Sequence, residues 1–302
     1  MHDNRLKRRG LIFFAALILF FTTAFSAVQG QTADTKPVTV KFTQISDDHF
    51  DPFSERVNLR MVKYSKNLLE DAIDQINNMP DIDFVIFTGD LADTTDANLH
   101  VLFAKEANSL HVPWYWTTGN HDLGQSGLTT SRKKFLKLMN KYNKYIQPES
   151  TCYSFSKGGV LFFAMDGAND TVSSAQGLFS EECLGFLDRE LTGHSDMPAI
   201  IFQHFPLVYP SKSEGHEVIN QAEYFDILDK HPNVKALFSG HYHIDKIQTR
   251  NNVLHVSSPA LVQYPCAFRV VTLTRTGGDL KIDVKTVETR LKDVQKMSLE
   301  SK

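Results

Sequence analysis

Five short apolar runs in this 302-residue chain end alike, and that repetition limits the possible folds more than any other feature. VTVKFTQIS runs into Asp47 and His49, and FVIFT into Gly89 and Asp90. VPWYWTT runs into Gly119, Asn120, His121 and Asp122, AIIFQ into His204, and VKALFS into Gly240, His241 and His243. The runs have the length and the aromatic or β-branched content of buried strands. Around them stand segments of helical period: 59–78, where Leu68, Leu69, Ala72, Ile73 and Ile76 share a face, then 97–110, 132–142, 180–191 and 221–229. Ser180 is placed to cap the fourth of these, with Glu181 and Glu182 in its first turn. Residues 152–156 and 160–166 read as a hairpin closed around Lys157, Gly158 and Gly159, and 246 to 288 is mostly strand-like. Alternating strands and helices require right-handed crossovers and a largely parallel sheet; the strand-rich second half adds a second sheet packed on the first. No linker interrupts 38–288, so the expectation is one α/β sandwich, followed by a loose polar tail over 289–302.

In open α/β sheets, ligands collect at the carboxyl ends of strands. Asp47, His49, Asp90, Asn120, His204, His241 and His243 therefore converge on one rim as hard oxygen and imidazole donors. Gly89, Gly119 and Gly240 allow close backbone approach there. Donors of this kind without thiolate suit Zn, Mn or Fe. They are too many for one ion, whereas two ions about 3.5–4 Å apart would use them all. A single Asp or His carries little weight, and His100, His111, His194, His216, His231 and His255 read as ordinary hydrogen-bonded histidines. The ordered set DxH, GD, GNHD, H and GHxH is specific.

With a net charge of −3 and 22% charged residues, the chain has no basic field for nucleic acid. MHDNRLKRRG followed by LIFFAALILFFTTAF and small residues reads as an export signal over 1–30, with cleavage between about Ser26 and Gly30, or as an uncleaved membrane anchor. Either way the remainder is exported to the periplasm or beyond, behind a 31–37 linker. Residues 1–30 carry four positive side chains and one negative, so cleavage takes the net charge from −3 to −6. Export permits a disulfide among Cys152, Cys183 and Cys266, but an odd count leaves one thiol unpaired, and three free thiols are equally compatible.

On QISDDHF, FTGDLAD, TTGNHD and LFSGHYH, the chain from Val38 to about Glu288 resembles the calcineurin-like metallophosphoesterase superfamily, and within it most of all the bacterial class III cyclic-nucleotide phosphodiesterases. That resemblance implies a four-layer α/β/β/α sandwich of two mixed sheets flanked by helices, with a binuclear metal site at the strand ends. One ion would take Asp47, His49, Asp90 and His243. The other would take Asp90, Asn120, His204 and His241, with Asp90 bridging. His121 would face and protonate the leaving oxygen, and Asp122 would orient or tune His121. GDLADTT lacks the tyrosine ligand of purple acid phosphatases. The implied activity is hydrolysis of a small phosphoester by a metal-bridging hydroxide. A diester is the first expectation, and a nucleotide or sugar monoester the alternative. An inactive metal-binding surface protein would have no use for His121. Loops 51–58, 123–133, 167–177 and 209–217 would set specificity, with Arg56, Arg132 and Lys212 as candidate anion contacts.

Overall fold

The computed structural model describes residues 36–123, 130–169 and 175–301. The expected export segment at 1–30, most of the linker after it, and parts of the loops 123–133 and 167–177 lie outside these residues.

One sheet carries β1 (Val38–Ile45), β2 (Phe84–Thr88) and β3 (Trp114–Thr117) in parallel. It is extended antiparallel from β1 by β10 (Ala267–Thr276) and then β11 (Asp279–Glu288). The other runs in the order β4 (Tyr153–Lys157), β5 (Val160–Met165), β6 (Ala199–Gln203), β7 (Val234–Ser239), β9 (Val253–Ser257), β8 (Lys246–Arg250). Its four central strands are parallel and both edge strands antiparallel. Both sheets are thus mixed.

Strand alternation sets the layers. Phe42, Phe84 and Ile86 of the first sheet face Phe162, Phe202 and Phe238 of the second in an apolar seam. The Phe42 ring stacks on Phe84 at 5.0 Å and meets Phe202 and Phe238 edge-on at 5.3 and 5.5 Å. The alternate residues Val85, Phe87, Phe163 and Ile201 point outward into a second buried cluster with the helices. That outer layer comprises α1 (Ser65–Asn77), α2 (Ala97–Ala107), α3 (Arg132–Tyr142), α4 (Glu181–Gly193) and α5 (Gln221–Lys230). The architecture is the four-layer α/β/β/α sandwich, and strands buried on both faces explain why FVIFT and AIIFQ read as continuous apolar runs.

Local chemistry matches the sequence at several points. Lys157 pairs with Val160 across a two-residue turn in which Gly158 and Gly159 both have positive φ (58° and 73°), as a tight hairpin needs. Ser180 caps α4, its hydroxyl accepting from Cys183 N at 3.1 Å. Cys152 and Cys183 are joined, tying β4 to the first turn of α4, while Cys266 is a buried free thiol.

Two segments differ from expectation. Residues 59–61 do not begin a helix, because Met61 N donates to Val262 O at 2.7 Å and Arg60 bridges Gln263; only a short 3₁₀ turn, Val62–Tyr64, precedes α1. The polar tail is not loose. Lys292–Glu300 forms α6, with Val294, Gln295 and Ser298 buried. Ser298 Oγ donates to Leu59 O at 2.7 Å and accepts from Tyr264 N at 2.8 Å, so one hydroxyl ties together two loops distant in sequence. Ser298→Ala would leave both backbone groups without that partner. The expected outcome is a loss of about 1–3 kcal/mol of stability, read from urea unfolding with an unchanged m-value; a midpoint equal to wild type would show that α6 is not coupled to these loops.

Candidate metal centre

The expected ligands meet at the carboxyl ends of β1, β2, β3, β6 and β7. Five of them hold left-handed backbone: Asp47 (φ 55°), His49 (41°), Asp90 (50°), His241 (70°) and His243 (55°). Non-glycine residues avoid this region, at roughly 1–3 kcal/mol each, and sites that use it recruit the strain to aim side chains. The strand ends also close on one another. A Cβ at Gly119 would lie 2.2 Å from Asp90 Oδ1, and one at Gly240 would lie 1.9 Å from Ser46 Oγ and 2.4 Å from Asp47 Oδ2.

Two donor trios of expected ligands result, Asp47–His49–His243 and Asp90–His204–His241, and a third, His49–Asp93–His121, lies beside them; in each the donor atoms are within 4.8 Å of one another. Asp90 Oδ2 lies 3.3 Å from His204 Nε2 and 3.7 Å from His49 Nε2, so one carboxylate oxygen faces both trios of expected ligands. Asp47 Oδ1 is 3.2 Å from His243 Nε2 and 3.9 Å from His204 Nε2. The second oxygens are held in place: Asp47 Oδ2 accepts from Ser46 Oγ at 2.6 Å, and Asp90 Oδ1 from His121 N at 2.8 Å.

The residues fit a pair of ions by a direct test. His241 Nε2 and Asn120 Oδ1 are buried polar atoms with no hydrogen-bond partner, and buried groups of this kind are normally satisfied. Two histidines present Nε2 because Nδ1 is engaged elsewhere, His204 with Thr88 O at 2.8 Å and His243 with Gln263 Oε1 at 2.9 Å, while His49 Nδ1 faces Asp93 Oδ1 at 3.2 Å. Such partners fix the ring orientation of a metal ligand.

Electrostatics agree. Burial pushes His49 down to about 4 and, together with His204, pushes His241 down to about 3, so both rings are neutral and keep a lone pair at pH 7. For Asp90, burial works upward, but the His204 and His121 rings outweigh it and hold the carboxyl well below its ordinary value. Burial would lower His204, yet Asp90 and Asp47 raise it to about 9. Ligand binding of a dication there would release that proton.

Asp122 has a different task from the one expected. Its Oδ2 accepts from Gly119 N at 2.8 Å. Its Oδ1 accepts from Leu91 N at 2.9 Å and faces His100 Nε2 at 3.1 Å. It therefore ties the GD loop to the GNHD turn, while the His121 ring is oriented by Asp93 O, 2.7 Å from Nδ1. Adjacent side chains of a tight turn point apart, which is why neighbours in sequence are not partners here.

A cavity of about 640 Å³ opens over the rim, lined among others by Asp90, Asn120, His121, His241 and His243, with Arg60 on its wall. The anion contacts expected from sequence are committed elsewhere: Arg56 to Asp93, Arg132 to Asp166, and Lys212 to a separate depression with Tyr209 and Lys246. His216, taken as ordinary, lines the cavity with its ring 5.3 Å from that of His241. Asp93, Gln263 and Arg60 were not marked by sequence. Only Asp93 carries a signal, as a second carboxylate three residues after Asp90 in GDLAD.

A family model for calcineurin-like phosphoesterases matches residues 40–245. A 3′,5′-cyclic-nucleotide phosphodiesterase of Nostoc sp., alr5338, is 26% identical over 225 residues, covering 73% of this chain and 78% of its own length. A probable glycerophosphodiester phosphodiesterase, GpdQ, of Arcobacter nitrofigilis is 27% identical over 204 residues, 66% of this chain and 70% of that one. In fold, a dimetal phosphatase from Danio rerio superposes with a TM-score of 0.64 at 19% identity, covering 84% of this chain and all of the other.

Gly240→Ala tests the closeness of the strand ends without replacing a candidate ligand. Its Cβ would displace Ser46 and Asp47. The expected result is a roughly 10–100-fold weaker Mn²⁺ affinity, the range found when a ligand's support is disturbed, with the circular dichroism of the wild type. Unaltered affinity would mean that Asp47 is not a ligand or that this corner yields freely.

Proposed function

The chain belongs to the calcineurin-like phosphoesterase family, whose members hydrolyse phosphate esters, and we propose that it is an exported two-metal phosphodiesterase acting on a small diester. The observation that carries the two-metal reading is Asp90 Oδ2, placed between His204 Nε2 and His49 Nε2. Asp47, His49, Asp90 and His243 would hold one ion; Asp90, Asn120, His204 and His241 would hold the other. When bound, two dications would offset the ester's negative charge and supply hydroxide at neutral pH.

The chain's own residues do the rest. The rigid rim, fixed by Ser46, Thr88, Asp93 and Gln263, presents the ligand atoms in one arrangement and so avoids reorganisation during reaction. The cavity admits a small ester and exposes its departing oxygen to His121. Nδ1–H donates to Asp93 O and turns Nε2 toward the cavity, so the ring can give a proton from Nε2 when it is in its doubly protonated imidazolium form. Preference for a diester follows the cyclic-nucleotide and glycerophosphodiester relatives.

Export is supported by the basic and then apolar N-terminus and by the Cys152–Cys183 disulfide, a bond typical of oxidising compartments. Fractionation followed by N-terminal sequencing should find the protein outside the cytoplasmic membrane, beginning between about Ser26 and Gln31. A cytoplasmic protein that retains Met1 would refute this part.

Substrate class is tested by comparing bis-p-nitrophenyl phosphate with p-nitrophenyl phosphate on Mn²⁺-loaded protein. The diester should show the higher kcat/KM; a clear monoester preference would replace this reading with a phosphomonoesterase. His121→Ala should retain its metal content and lose about 10²–10⁴-fold on an alkyl ester, whose leaving oxygen needs a proton. It should lose much less on a p-nitrophenyl ester. Equal losses on both would remove the proton-donor role.

A further inference from the structure

Most arginines in the described residues face carboxylates: Arg56 faces Asp93, Arg132 Asp166, Arg250 Asp229, Arg269 Asp245, and Arg290 both Asp71 and Asp74. Arg60, like Arg189 and Arg275, has no carboxylate ion pair among the described residues, and of these three it alone lines the cavity over the rim. Its Nη1 lies instead 3.5 Å from His49 Nε2, and the side chain lines the cavity with Asp90, Asn120 and His121. A guanidinium beside a ligand of a dication is electrostatically unfavourable unless an anion joins them.

The position is not left to a mobile loop. Arg60 N donates to Asn58 Oδ1 at 2.8 Å, and the Arg60 backbone bridges Gln263. The neighbouring Leu59 O and Tyr264 N share Ser298 Oγ of α6. Gln263 meanwhile orients His243. The segment whose Gln263 supports His243 therefore also supports the Arg60 backbone, and Ser298 of α6 ties that segment to Leu59.

We propose that Arg60 is a substrate-binding residue that grips the phosphoryl group, donating to a non-bridging oxygen from the His49–His243 side of the cavity. The planar fork of a guanidinium suits two oxygens of one phosphate. This rests on the phosphoesterase reading, because it takes the anion to be the reacting group. It also assigns a place to Arg60 that the loops 51–58 and 209–217, with Arg56 and Lys212, were expected to fill.

The test uses the full mature protein loaded with Mn²⁺, as wild type, Arg60→Ala and Arg60→Lys. Each is titrated calorimetrically with inorganic phosphate, and metal content is measured on the same preparations. Arg60→Ala should bind phosphate roughly 10–100-fold more weakly, the range for a hydrogen bond to a charged group. Arg60→Lys should recover part of that loss, and both should keep wild-type metal content. KM for bis-p-nitrophenyl phosphate should rise in parallel, with kcat falling less. Unchanged phosphate affinity in Arg60→Ala overturns the proposal. So does loss of an ion, which would make Arg60 a support for His49. Phosphate binding needs no turnover. A wild-type protein inactive on every ester that still bound phosphate through Arg60 would therefore sink the phosphodiesterase reading and overturn the substrate-binding role, leaving Arg60 as a phosphate contact alone.

Discussion

Asp47 and Asp90 are both buried at the ends of adjacent parallel strands, β1 and β2, and the rest of the structure answers to that burial. Two carboxylates in a low-dielectric interior are costly unless positive charge and hydrogen-bond donors surround them. Here the donors are backbone and side chain together: His241 N reaches both oxygens of Asp47 at 3.1 Å, Ser46 Oγ holds one of them, and His121 N holds Asp90. The rings of His49, His204 and His243 supply the remaining contacts. The apolar seam between the sheets gives these groups a fixed frame, since its interlocked phenylalanines leave the strands little room to slide.

Strain is the second part of the design. A strand that simply ended would carry its side chains alternately to the two faces, not toward a common point beyond its tip. A left-handed residue just past the strand turns the chain so that the side chain points into the rim. Five candidate ligands adopt this backbone. Metal binding offers a way to offset that strain, because ligand bonds formed only in the folded protein contribute directly to stability.

Much of this was legible in the sequence. Strand runs, helical periods, the Gly158–Gly159 turn and the Ser180 cap are local signals, and they correspond to elements in the structure. That the candidate ligands would cluster was legible because strand ends in such sheets gather at one edge, so order along the chain was enough to bring them together. What sequence did not reveal depends on contacts between distant segments. Gln263 supports His243 across twenty residues, and Ser298 reaches Leu59 across 239. The last helix was missed because only a few of its side chains, Val294 among them, meet the body, too few for an apolar period to stand out. Asp122 was misassigned for the opposite reason: adjacency in GNHD suggested a partnership with His121 that the turn geometry gives to Gly119, Leu91 and His100 instead.

The most direct measurement of the central claim is a crystal structure of Mn²⁺-loaded protein with anomalous data. The expected result is two peaks about 3.5–4 Å apart, with Asp90 between them, Asp47, His49 and His243 on one and Asn120, His204 and His241 on the other. A single peak, or two peaks not bridged by Asp90, would contradict it.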